Sequence, residues 1–174
     1  MEIQDEKPRV PLRLSRIGVK NFRAVLRLKR GEEVYTVFPR ITMLVDLPGD
    51  RRGAHLSRSP ESLYELVGLE ASQIVTHLED FCSDLASKLL EKHKYSKIAI
   101  VKLKCDYSVP GSREVATSAV EGAKLIAKAI AVRGKPVRKF IGGFTWGVIA
   151  CPCARREVSK IAGVSEGQAP THMQ

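Results

Sequence analysis

Two cysteines flanking one proline, Cys151-Pro152-Cys153, and a histidine near the end of the chain, His172, are the residue types in this 174-residue sequence that could grip a metal ion or act as a nucleophile. Thiolate sulfur and imidazole nitrogen suit zinc or ferrous iron, and a catalytic centre needs three protein ligands with one position left for water. The spacing is not that of a zinc ribbon, where two residues between the cysteines let both sulfurs turn onto one ion. One intervening residue in an extended chain sends both sulfurs to the same side, so one can bind metal while the other lies close by. The alternative is a buried, inert thiol pair at the end of the apolar, Gly-punctuated run that begins at Gly142.

A second chemical stretch runs from Val45 to Ser62, where Pro48, Gly49, Gly53 and Pro60 interrupt a basic polar segment and make it a loop. His55, Ser57 and Arg58, with Arg51 or Arg52, are donors of the kind phosphate oxygens favour, arginine in bidentate fashion. An ordinary solvated loop is the competing explanation. Elsewhere His77, Cys82 and His93 fall in or just after a helical stretch without ligand partners, and they read as core or surface residues. Cys105 reads as a small core residue of a strand.

The elements that must position these groups follow from hydrophobic spacing. Residues 1 to 10 are polar and broken by Pro8, which predicts a flexible lead-in. Val19 to Lys29, a turn at Gly31 and Glu33 to Leu47 predict a long antiparallel hairpin, with Pro39 at an edge or bulge. Ser59 is placed to cap a helix with Pro60 at its first position. From Glu61 to Lys92 apolar residues recur at helical spacing, as one long helix or two separated near Gly68. Ser96 to Val109 alternates as a strand. Ala116 to Arg133 has helix propensity yet alternates as a strand would, and Val137 to Ala150 is an extended run.

Length and composition bound the rest. The chain is long enough to bury a core without disulfide staples. Four cysteines, no export signal and no long apolar run predict a reducing cytoplasm and no membrane span. A net charge of +10 attracts polyanions. Nucleic acid is disfavoured as the partner, because aromatic residues are sparse and do not interleave with basic ones as a base-stacking platform requires.

Several stretches taken together resemble a known family. Gly18-Val19-Lys20-Asn21, Val45-Asp46-Leu47-Pro48, Gly53-Ala54-His55-Leu56-Ser57-Arg58-Ser59-Pro60-Glu61, Glu91-Lys92-His93-Lys94-Tyr95, Cys151-Pro152-Cys153-Ala154 and Thr171-His172-Met173-Gln174 are similar, in this order, to the GTP cyclohydrolases of type IB. The archaeal branch, which serves methanopterin biosynthesis, is the nearer match on the Ser-Arg-Ser-Pro-Glu run and the long segment between Cys151 and His172. The resemblance implies an α+β tunnelling fold (T-fold), an antiparallel sheet with helices on one face, in which a ββααββ unit occurs twice and subunits join into a barrel. It assigns residues 11–150 to the first unit and 151–174 to the start of a metal-site segment, and it turns Ala116 to Arg133 into strand. It also implies one divalent metal, ferrous iron with zinc or manganese as alternatives, held by Cys151 and His172. Cys153 stands beside the metal as the catalytic thiol, an alternative ligand or a substrate contact. The substrate implied is GTP, its triphosphate held by His55, Ser57 and Arg58.

Family members continue past the Thr-His motif into a second repeat that supplies a carboxylate ligand, another histidine and a glutamate for the guanine edge. The resemblance therefore implies a piece of a longer protein or one half of a split gene, inactive by itself and working as a homo-oligomer or with a complementary C-terminal half. The competing function is a non-catalytic basic module that binds a nucleotide or nucleic acid on the same scaffold. A structural zinc protein is disfavoured, since no four ligands have zinc-finger spacing.

Overall fold

The computed structural model describes residues 3–68, 73–108, 122–145 and 152–165. They divide into two compact units, Met1–Phe144 and Thr145–Gln174.

In the first unit the predicted hairpin forms and then changes sheets. Strand β1 (Leu14–Arg23) pairs antiparallel with β4 (Arg40–Leu47), while the hairpin tip, β2 (Leu26–Arg30) and β3 (Glu33–Val37), pairs within a separate three-stranded sheet. The bend falls at Pro39, which is fully buried and has no N–H to give to a ladder. Its carbonyl still accepts the Ala24 N–H at 3.1 Å, so the two arms stay joined through the bend. Between β1 and β4 the register slips twice. Between the two slips, opposite Leu44, Gly18 has φ 155°, and a β-carbon there would sit 2.1 Å from the Met43 carbonyl oxygen, so only glycine fits. Asn21, at φ 55°, occupies the second.

The large sheet runs β1-β4-β6-β7-β8, antiparallel throughout, with β6 (Ile98–Ser108), β7 (Gly122–Val132) and β8 (Arg138–Phe144). Its inner face carries Ile41, Met43 and Val45, then Ala99, Val101, Leu103 and Cys105, then Ala127, Ala129 and Ala131, all buried. Two helices cover that face: α1 (Arg58–Val67) through Leu63 and Val67, and α2 (Leu78–Lys92) through Phe81, Cys82, Leu85, Ala86 and Leu89. The α+β architecture is as expected. The alanine-rich segment is a strand despite its helix propensity, because its alternate alanines let α2 approach the sheet closely.

Of the two forms the sequence allowed for the helical stretch, the pair separated at Gly68 is the one observed, while the start of the first helix and the lead-in differ from the sequence reading. The helical stretch is two helices, ended at Gly68 (φ 77°), whose N–H donates to the Tyr64 carbonyl at 2.8 Å; a two-residue strand β5 (Ile74–Val75) then pairs in parallel with β2. The first helix begins at Arg58 with Ser57, not Ser59, as its N-cap. The lead-in is tethered: Ile3–Asp5 forms a 3-10 turn, and the Arg52 and Gly53 amides donate to the Glu6 and Gln4 carbonyls at 3.0 and 3.3 Å.

In the second unit α3 (Pro152–Ala162) is the described element. No helix among the described residues is long and apolar enough to cross a membrane.

Candidate functional site

The loop after β4 is anchored at its start by Asp46. Its Oδ1 accepts the amides of Lys97 and Ile98, each at 2.8 Å, and its carbonyl accepts the Ser96 hydroxyl at 2.7 Å. The end of β4 is thereby locked to the start of β6, and the loop leaves from a fixed point. The Arg58 amide donates to the His55 carbonyl at 3.1 Å and the Ser59 amide to Leu56 at 3.2 Å, so the chain winds directly into α1.

His55, Ser57 and Arg58 are brought together at the N-terminal end of that helix. His55 is buried, with Nε2 3.3 Å from Asp5 Oδ1 and its backbone N–H donating to the Tyr95 hydroxyl at 3.3 Å. Ser57 is exposed, and its side chain makes no capping bond to the helix it begins. Arg58 is half-buried; one guanidinium nitrogen donates to the Lys92 carbonyl at 3.0 Å, at the C-terminal end of α2. That contact sets a cation against the negative pole of α2 and leaves other guanidinium donors in the fork. The positive pole of α1 faces the same turn. An imidazole, a hydroxyl, an arginine and a helix N-terminus are thus gathered at one turn.

Around the turn lie Asp5, Tyr95 and His93, which sequence spacing does not connect to it, and Arg51 of the same loop. Asp5 pairs with Arg51 and with His55, and the hydrogen bond from His55, more than the Arg51 charge, holds its carboxyl below the usual range. The Arg51 guanidinium lies 4.5 Å from the centre of the Tyr95 ring. Burial raises the Tyr95 phenol. The Tyr95 oxygen is 2.9 Å from Nδ1 of His93, a residue with no exposed surface. Burial, followed by the charges of Arg58 and His55, pushes the His93 imidazole down to about 4. His93 and Tyr95 belong to one of the stretches that carry the resemblance, yet nothing in their spacing shows that they back onto His55; a His-x-Tyr directly after a helix is the available signal.

The expected metal ligands, Cys151 and His172, lie outside the described residues. Cys153 lies in the first turn of α3 and is exposed, whereas Cys82 and Cys105 are buried in the first unit. Burial pushes the Cys82 thiol up to about 12 and raises that of Cys105, so neither is a nucleophile or a ready ligand. Among the described residues no three of His, Cys, Asp and Glu converge as a metal site requires. His77 is exposed at the N-cap of α2. A cleft of about 730 Å³ opens at the other end of α1, lined by Phe22, Arg23, Phe38, Arg40, Tyr64 and Asp106 among others, away from the His55 turn.

Comparison with known proteins accounts for the order of these motifs. A family model described as type I GTP cyclohydrolase folE2 matches residues 1–174. The chain is 34% identical over 165 residues to a GTP cyclohydrolase MptA of Methanosphaera stadtmanae, covering 91% of this chain and 53% of that protein. It is 35% identical over 162 residues to the MptA of Methanosarcina mazei (88% and 51%) and 34% over 171 residues to that of Methanococcus maripaludis (94% and 54%). The chain spans about half the length of the curated relatives it matches. With a family match along its whole length, the chain belongs to the type I GTP cyclohydrolase folE2 family.

Proposed function

We propose that this chain provides the first half of a GTP cyclohydrolase of the MptA kind, which opens the imidazole ring of guanine, releases formate and closes a pterin ring to give 7,8-dihydroneopterin 2′,3′-cyclic phosphate. The observation that carries the reading is the family match over all 174 residues, at 34% identity to a protein named for that activity. The covered share of the relatives, 53%, supports a need for a complementary C-terminal segment, in this polypeptide's own continuation or in a separate chain, within a homo-oligomer or a complex. The setting is a reducing cytoplasm.

In this reading the turn at the start of α1 holds the triphosphate. Ser57 offers its uncommitted hydroxyl, Arg58 its remaining guanidinium donors, and His55 a ring steered by Asp5. Cys151 and His172 are the ligands this chain would give to one divalent metal, with Fe(2+) as the leading identity and Zn(2+) or Mn(2+) as alternatives. Two donors fall short of a three-ligand centre, so the complementary segment completes it. When bound, the metal supplies Lewis acidity for addition of water at guanine carbon 8. Cys153, exposed in the first turn of α3, is the thiol proposed to face the substrate.

The test combines this chain with the polypeptide equivalent to the second half of an MptA, under anaerobic conditions with ferrous iron and GTP, and follows pterin fluorescence after oxidation. Product that requires both halves and is lost in Cys151→Ala is the expected result. Salt-sensitive polyanion binding indifferent to metal and to Cys151→Ala, without product, would instead favour a non-catalytic binding module.

A further inference from the structure

The contacts behind the His55 turn form a directed chain. The His55 backbone N–H can only donate, so the Tyr95 oxygen receives it, at 3.3 Å. The phenol has one proton of its own to give, and the acceptor within reach among the described residues is Nδ1 of His93, at 2.9 Å. Nδ1 must then present a lone pair, which places the proton of a neutral imidazole on Nε2. Burial of the ring, which keeps it neutral, agrees with that assignment. Nε2 has no hydrogen-bond partner among the described residues, so no competing bond pulls the proton back to Nδ1. The ring is itself held by its backbone: the His93 amide donates to Leu89 at 2.8 Å, and its carbonyl accepts the Ser96 amide at 2.9 Å. A rigid helix end thus aims an imidazole, the imidazole aims a hydroxyl, and the hydroxyl grips the backbone of the anion-holding turn.

We propose that Tyr95 and His93 are positioning residues for the turn from His55 to Arg58, setting its backbone so that the His55, Ser57 and Arg58 donors converge on a polyphosphate. The polyphosphate part rests on the proposed function; the positioning part does not. Neither residue is asked to touch the ligand. Their role is to hold the turn in its binding shape before the anion arrives. Arg51, paired with Asp5, lies over the Tyr95 ring and adds a second contact that holds that ring in place.

The experiment uses the 174-residue chain, wild type and Tyr95→Phe, with inorganic tripolyphosphate as the probe. Nitrogen-15 NMR of labelled histidine should show His93 as the Nε2-protonated tautomer in the wild type. In Tyr95→Phe the His55 amide should exchange with solvent about tenfold faster while amides of β6 keep their protection. Calorimetry should show tripolyphosphate bound three- to tenfold more weakly, as expected for loss of one ordering hydrogen bond. His93→Gln, which retains an acceptor, should lie closer to wild type than His93→Phe does. An Nδ1-protonated His93, or an unchanged His55 amide in Tyr95→Phe, would overturn the positioning role even if GTP turnover were established. Intact positioning signatures with no tripolyphosphate binding by the wild type would uphold that role and sink only the phosphate assignment.

Discussion

His93 places an imidazole where it cannot readily accept a proton, and this has a consequence for stability. Its folded value of about 4, against an ordinary 6.5, means the unfolded chain binds a proton at mildly acid pH that the native protein refuses. Stability should therefore be unaffected by this group above pH 6.5, fall as pH drops from there towards 4, and lose nothing further from it below. The loss is on the order of 3 kcal/mol. Urea midpoints between pH 7 and 4 for wild type and His93→Leu check this: the variant should show a shallower decline, and parallel curves would refute it. Asp5 acts in the same sense, since its lowered value lends stability above the ordinary carboxylate range that is lost as acid protonates it. Acid should thus strike the His55 turn from both sides. How much of this was legible from sequence is uneven. His55, Ser57 and Arg58 could be picked out because they share one short loop, and they do share one helix end. Asp5 and Tyr95 could not be joined to them, because contacts such as that between Asp5 and His55 span 50 residues and no periodicity records such pairings.

At the scale of elements, the α2 C-terminus and the β1–β4 crossing decide where the turn sits. Two arginines close α2: Arg58 donates to the Lys92 carbonyl at 3.0 Å and Arg133 to Leu90 at 2.8 Å, the charge arrangement a helix C-terminus favours. The crossing depends on Gly18. Adding a methyl group there would drive a β-carbon into the Met43 carbonyl, at 2.1 Å, from a backbone angle side chains rarely adopt. Gly18→Ala should destabilise the fold by about 3 kcal/mol or more. Gly143→Ala, in an exposed strand with nothing within 4 Å of the new carbon, should change thermal stability little. Equal melting shifts for the two would show that the crossing can relax. The presence of glycine at position 18 was plain in the sequence, but its necessity was not, since the clash is with a strand 25 residues away and arises only after pairing.

At the scale of the molecule, the large sheet ends at β1 and β8 among the described residues, and all seven residues of β8 are exposed, Ile141 at 61%. An apolar strand at a sheet edge is a template for pairing with another chain. The proposed assembly, with copies of itself or with a complementary half, fits such an edge. Light scattering on a size-exclusion column should show a mass above the single chain's 19.2 kDa for the wild type or its two-half complex, and a lower mass for Ile141→Lys. An unchanged mass would place the interface elsewhere.

Period-two alternation was enough to predict the strands outside the alanine-rich segment, which only the family resemblance turned into strand, and helical spacing was enough to predict the helices that cover them, because burial of one face dictates both patterns. The motif order was likewise sufficient to reach the family, since each motif is local. Only the folded chain decided that the hairpin divides between two sheets at Pro39, that Gly68 ends one helix before another begins, and that Cys82 and Cys105 are withdrawn from chemistry while Cys153 is exposed. It also decided that His93 and Tyr95 stand behind His55. These outcomes depend on which surfaces meet across long stretches of chain, and a residue's type and its near neighbours carry no information about that.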